Sequence, residues 1–194
     1  MEAADINLIE ACKRGKPSAQ REVYTRFSPM MFAVALRYTN GRADAEDILQ
    51  ESWIKVFRHI KSFSEHNSFE GWLRRIVVNT AITHYRRNQK HAFQLDVEEV
   101  HATPADLEAF KELDFNREEL ATAIAQLPKG YGLVFNMYVI EGYKHKEIAE
   151  QLGIDLNTSK SQLSRARKYL QGILGNMSKR AQKAQSRSDE SRRI

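Results

Sequence analysis

The chain has 194 residues, 42% of them hydrophobic, a net charge of +5 and a single cysteine, Cys12. That length supports one or two compact cores, and one cysteine excludes an internal disulfide. No apolar run approaches the ~18 residues of a membrane span, and the acidic start Met1–Asp5 lacks a signal-peptide core, so a cytoplasmic protein without membrane insertion is expected.

Four prolines and nine glycines are too few to break up a chain dominated by good helix formers. An all-α fold is predicted. Helical periodicity fills 5–91, with breaks near Gly15-Lys16-Pro17, Ser28-Pro29, Thr39-Asn40-Gly41 and Ser62–Ser68.

Within 44–60, Leu49, Trp53, Val56 and Ile60 recur at helical spacing and predict a buried stripe. The opposite face carries Asp47, Glu51, Ile54 and Arg58, with Gln50 alongside. An apolar side chain among charges fits a protein-binding face. The following loop, Lys61–Ser68, is polar and contains Phe63, Ser64, His66 and Asn67.

In 69–87, Phe69, Trp72, Leu73, Ile76 and Thr80 share one side, with Phe69 and Trp72 read as core. Arg75, Asn79, Ile82 and Arg86 form another, flanked by Arg74 and Tyr85, with Arg87 next to it. Basic groups for phosphate, an amide for a base edge and aromatics for stacking suit single-stranded DNA. Periodicity then weakens. Residues 93–116 are read as a linker, with room for a short helix from Pro104 onward.

Periodicity resumes at Arg117 and runs to about Leu174. Tyr143–Leu170 reads as a helix-turn-helix. Ala149 and Gly153 stand four apart, where a small residue permits close approach and glycine permits positive φ. Asp155 or Asn157 can cap the second helix. At about 100° per residue, Leu156, Leu163, Ala166 and Leu170 fall on one side, and Thr158, Ser161, Gln162, Arg165 and Lys168 on the other. A short, polar, basic face suits a helix entering the major groove. Ser159 departs from the pattern, because it points to the apolar side where such motifs carry Val or Ile. Asn176–Ile194 is nearly devoid of apolar residues and is expected to be a disordered basic tail, a solvated end or an extra contact.

Charge is unevenly placed. Residues 157–194 hold ten Lys/Arg and two Asp/Glu, so residues 1–156 sum to −3. Arg74–Lys90 holds five bases and no acid, whereas 93–119 holds nine acids and two bases. Two basic islands separated by an acidic stretch suggest two nucleic-acid contacts, with a pair of solvated basic faces as the alternative on charge alone. The six histidines show no metal spacing, and neither a phosphate loop nor a catalytic constellation is present. No cofactor, metal or enzyme activity is expected.

Together these segments resemble the extracytoplasmic-function sigma factors of the sigma-70 family. Asp44–Glu51 is similar to the family's polymerase-binding motif. Phe69–Ile76 with Val78–Ala81 and Tyr85–Arg87 is similar to its promoter-melting segment. Leu127-Pro128, Phe135, Glu141–Tyr143 and Glu147–Arg167 are similar to its region 4.

The resemblance implies region 2 over 1–92, a linker over 93–116, region 4 over 117–175 and a tail over 176–194. Asp47, Gln50, Glu51, Ile54 and Arg58 would meet the clamp helices of the β′ subunit of core RNA polymerase. Lys61, Phe63, Ser64, His66, Asn67, Arg74, Arg75, Asn79, Tyr85, Arg86 and Arg87 would act on single-stranded −10 DNA. Asn157, Thr158, Lys160, Ser161, Gln162, Arg165, Arg167 and Lys168 would read duplex −35 DNA, with the second domain docked on the β flap. An anti-sigma factor is a further implied partner. A free-standing repressor or two-component output protein shares the DNA-binding hairpin, but it has no need of the Asp47–Glu51 face. A nuclease would need a metal-binding carboxylate cluster.

Overall fold

The computed structural model describes residues 3–39, 41–64, 66–89 and 116–191. The chain divides into two compact units, Met1–Leu95 and Asp96–Ile194. Every regular element among the described residues is helical.

The first unit packs α1 (Ala3–Lys13), α2 (Pro17–Leu36), α3 (Arg42–His59) and α4 (Phe69–Gln89). Gly15, at φ +76°, makes the turn into α2, and Pro17 opens that helix where its missing N–H is not needed. The expected break at Ser28-Pro29 is absent. α2 runs through Pro29. The ring removes one hydrogen bond, but Val23, Phe27, Met31 and Val34 on either side are buried and hold both halves in one core.

Ile48, Trp53 and Val56 of α3 and Leu73, Val77, Val78 and Ala81 of α4 complete that core. The Leu49, Trp53, Val56, Ile60 stripe is buried as its spacing implies. Ser68 precedes α4: its Oγ accepts a 3.3 Å hydrogen bond from the Gly71 N–H and its carbonyl accepts one of 3.0 Å from the Trp72 N–H.

The second unit is built from α5 (Arg117–Ala125), α6 (Lys129–Phe135), a π-turn (Asn136–Ile140), α7 (His145–Leu152) and α8 (Leu156–Ser191). Asn116 caps α5: its Oδ1 accepts from the Glu118 and Glu119 N–H groups, while Glu119 Oε2 accepts from the Asn116 N–H. α8 is central, packed against α5, α6 and α7. Ala123, Leu127, Ala166, Leu170 and Leu174 form a core cluster, with Ile173 and Met177 packed against it.

Residues 93–115 lie outside the described residues, so the expected linker and its short helix receive no structural account; the description resumes at Asn116. The tail departs from expectation. The backbone of α8 continues as helix from Asn176 to Ser191. No proline interrupts it after Leu156, and Lys, Arg, Ala and Gln carry high helix propensity. A helix already anchored through Met177 needs no new nucleus to continue.

Candidate polymerase and nucleic-acid interfaces

On α3, Asp47, Gln50, Ile54 and Arg58 are exposed. Ile54 is 60% exposed, more than any other large hydrophobic residue described. Glu51 is less exposed than these and is bonded within the unit. Its Oε1 lies 2.7 Å from Lys55 Nζ, and its Oε2 lies 2.8 Å from His84 Nε2 of α4. Lys55 Nζ also donates to Thr80 Oγ1 at 3.1 Å. The Lys55 hydrogen bond, more than the His84 contact, holds the Glu51 carboxyl below its ordinary range, against burial, which raises it. Glu51 is thus half-buried and joins α3 to α4 rather than standing out with Asp47.

In the loop before α4, Lys61, Ser64, His66 and Asn67 are exposed, and the Asn67 N–H donates to the Ser64 carbonyl across a tight turn at 3.0 Å. Phe63 is corrected to core. It is 3% exposed and makes an edge contact with Phe69 at 5.1 Å and a tilted one with Trp72 at 5.5 Å. A ring enclosed by its neighbours offers no face to a base.

On α4, Arg75, Asn79, Arg86 and Arg87 are exposed, while Arg74 and Tyr85 are half-buried. Burial raises the Tyr85 phenol above its ordinary pKa. Ile82, expected on the outer stripe, is 3% exposed and belongs to the core. Arg75, Asn79 and Arg86 remain as one exposed polar line.

The helix-turn-helix is built as its residue types imply. The Glu147 carboxylate accepts a 2.8 Å hydrogen bond from the Lys144 N–H at the start of α7. Gly153 ends α7 in the left-handed region at φ +67°, and the Ile154 N–H donates to the Ala149 carbonyl at 3.1 Å. Asp155 caps α8 through a 2.7 Å bond from the Asn157 N–H.

The outward face of α8 is rotated from the expected one. Asn157, Lys160 and Lys168 are exposed, whereas Thr158, Ser161, Gln162, Arg165 and Arg167 are half-buried. The Gln162 amide lies over Gly130 of α6, where a β-carbon would stand 3.6 Å from Nε2. Arg165 Nε is occluded, with no hydrogen-bond partner among the described residues. Arg165 therefore lies along the protein surface rather than standing at the centre of the free face.

Three neighbouring helices cause this rotation: contacts from α5, α6 and α7 cover more of the circumference than the single apolar side of a helical wheel. Leu156, expected inside, is 40% exposed at the first position of α8. Two positions that the sequence reading missed belong to the picture. Ser164 stands four residues from both Lys160 and Lys168, and Tyr169 is exposed. Among the described residues no cluster of His, Cys, Asp and Glu could hold a metal, and no helix is long and apolar enough to cross a membrane.

Comparison with known proteins matches the two units separately. Residues 23–91 match the family model of sigma-70 region 2, and residues 117–170 match that of sigma-70 region 4. An ECF RNA polymerase sigma factor, SigE of Mycolicibacterium smegmatis, is 29% identical over 156 residues, covering 79% of this chain and 60% of the relative. The chain thus spans less than two thirds of that relative's length. An ECF RNA polymerase sigma-E factor of Haemophilus influenzae is 27% identical over 177 residues, covering 86% of this chain and 93% of the relative. Among solved structures, that of CnrH in complex with the cytosolic domain of CnrY aligns with a TM-score of 0.49 and 22% identity, over 89% of this chain and 98% of that one. The chain belongs to the sigma-70 family, within its extracytoplasmic-function group.

Proposed function

We propose that this chain binds core RNA polymerase in the cytoplasm and directs it to a set of promoters, without chemistry of its own. The exposed face of α3, with Asp47, Gln50, Ile54 and Arg58, meets the clamp helices of the β′ subunit. Lys61, Ser64, His66 and Asn67, with Arg75, Asn79, Arg86 and Arg87 of α4, engage the −10 element as single strand. Cations hold phosphate, and Asn79 and Asn67 offer amides to base edges. Drawing a base out of the stack costs a few kcal/mol, which stacking and edge contacts must offset.

α8 enters the major groove at the −35 element. Asn157, Ser161 and Ser164 lie toward the bases, while Lys160, Arg167 and Lys168 hold the backbone. The second unit docks on the β flap, and an anti-sigma factor competes for these surfaces.

Ile54 carries this reading. A large aliphatic side chain set out among charges, on a chain that also bears a capped helix-turn-helix, calls for a protein partner as well as DNA. A repressor acting alone has no use for it. The test is in vitro transcription with core polymerase on a genomic promoter pool. Discrete new start sites that depend on the added chain are expected. Specific duplex binding with no polymerase-dependent transcript would establish the repressor instead.

A further inference from the structure

Ser159 is fully buried at the end of the first turn of α8. A hydroxyl removed from water costs free energy unless it is bonded. Its partner is His145, the first residue of α7. His145 Nδ1 and Ser159 Oγ share a hydrogen bond of 3.0 Å. The imidazole is backed by the Tyr138 ring, with centroids 4.4 Å apart and planes 24° from parallel. Tyr138 belongs to the π-turn, so three elements meet at one histidine. The charged groups facing it are Lys160 and Arg167 of α8, with Lys144 and Lys146 beside it in the chain. Burial first, and those two cations next, lower the imidazole pKa. Both effects disfavour the charged ring beside a cationic face.

We propose that His145 is a positioning residue for promoter reading: through Ser159 it sets the depth and rotation of the first turns of α8 against α7, with Tyr138 buttressing the ring. This rests on the reading of α8 as the −35 reader. Asn157, Lys160 and Ser161 flank Ser159 in the chain, so a shift of the seat moves all three. Recognition side chains must be held to within about 0.5 Å to keep their geometry.

Two substitutions separate this role from a direct phosphate contact by the imidazole. His145→Phe keeps a ring on Tyr138 but leaves the Ser159 hydroxyl unbonded. Ser159→Val fills the space but leaves Nδ1 without its partner. Together they replace a polar pair by an apolar one, a change that can be nearly neutral where each single change is not.

The full chain carries the four-protein cycle, read by native-state hydrogen exchange and by titration of −35 duplexes at several salt concentrations. In each single variant, amides 159–163 should open about tenfold faster and specific affinity should fall about tenfold, with the double variant within about threefold of the parent and the salt slope unchanged. A double variant as weak as His145→Phe, with the salt slope lowered by about one, would show the imidazole on a phosphate and overturn the proposal. Single variants with unchanged exchange would overturn the seat itself. If the parent prefers no duplex sequence while the exchange cycle behaves as expected, the −35 reading falls and the seat stands without its promoter role.

Discussion

Ile54 and Glu51 lie three residues apart on α3 and face different partners. Ile54 meets solvent, and Glu51 meets Lys55 and His84. Ile54→Asp should therefore leave helicity and thermal midpoint unchanged while weakening core-polymerase binding by about 2 kcal/mol or more, about thirtyfold. Equilibrium titration of labelled protein with core polymerase measures this; unchanged affinity would remove Ile54 from the interface. Cys12 is a second residue-level case. It is 1% exposed, and burial raises its thiol pKa. A thiol-specific reagent should label it only as fast as the first unit opens, so labelling should accelerate in step with urea unfolding. Rapid labelling of the native chain would contradict the packing of α1 on α2.

At the scale of elements, the Glu51 bridge fixes α4 to α3. A carboxylate with a lowered folded pKa contributes stability that is present above its unfolded pKa and is lost as pH falls through the folded one. Urea unfolding of the first unit should thus weaken in acid below about pH 4.5. Glu51→Gln should cost about 0.5–1 kcal/mol at pH 7 and flatten that acid limb. An acid limb that survives the substitution would assign the effect to other carboxylates.

α8 permits a sharper separation. Lys160→Ala and Lys168→Ala should weaken all duplexes alike, each lowering the salt slope by about one. Asn157→Ala, Ser161→Ala or Ser164→Ala should cost roughly 1–3 kcal/mol at one base position and relax preference there. Gln162→Ala should leave preference intact, because its amide lies over Gly130. A duplex library titrated at several salt concentrations decides between these classes, and a preference altered by Gln162→Ala would show that the amide leaves α6 on binding.

Over the whole molecule the charges are ordered along the chain. Two basic islands flank a segment with nine acids and two bases over 93–119. Negative charge near a DNA-binding protein lowers its affinity for any duplex and leaves base-edge discrimination untouched. Replacing Asp96, Glu98, Glu99 and Asp106 by their amides should therefore raise duplex binding severalfold at low salt, specific and non-specific alike, and leave the ratio of the two affinities unchanged. Competition titrations with non-promoter DNA measure both. An unchanged non-specific affinity would assign the acids a role unrelated to DNA.

The sequence alone determined what depends on local chemistry. Spacing in 44–60 placed Leu49, Trp53, Val56 and Ile60 inside. Ala149 and Gly153 marked the turn, since only glycine takes φ +67° without strain, and Asp155 was legible as a cap. Ser159 stood out as a polar residue on an apolar side, but its partner did not, because nothing in a helical period reaches fourteen residues back to His145. The same limit hid the pairing of Glu51 with His84, thirty-three residues away. Phe63 read as a loop aromatic until Phe69 and Trp72 enclosed it. A helical period assigns each residue an angle on its own helix. How many of those angles are covered depends on how many helices pack there, and for α8 that number is three. Tertiary structure therefore decided which of its polar residues stand free: packing on three sides turns Gln162 onto α6 and leaves Asn157, Lys160 and Lys168 in the open.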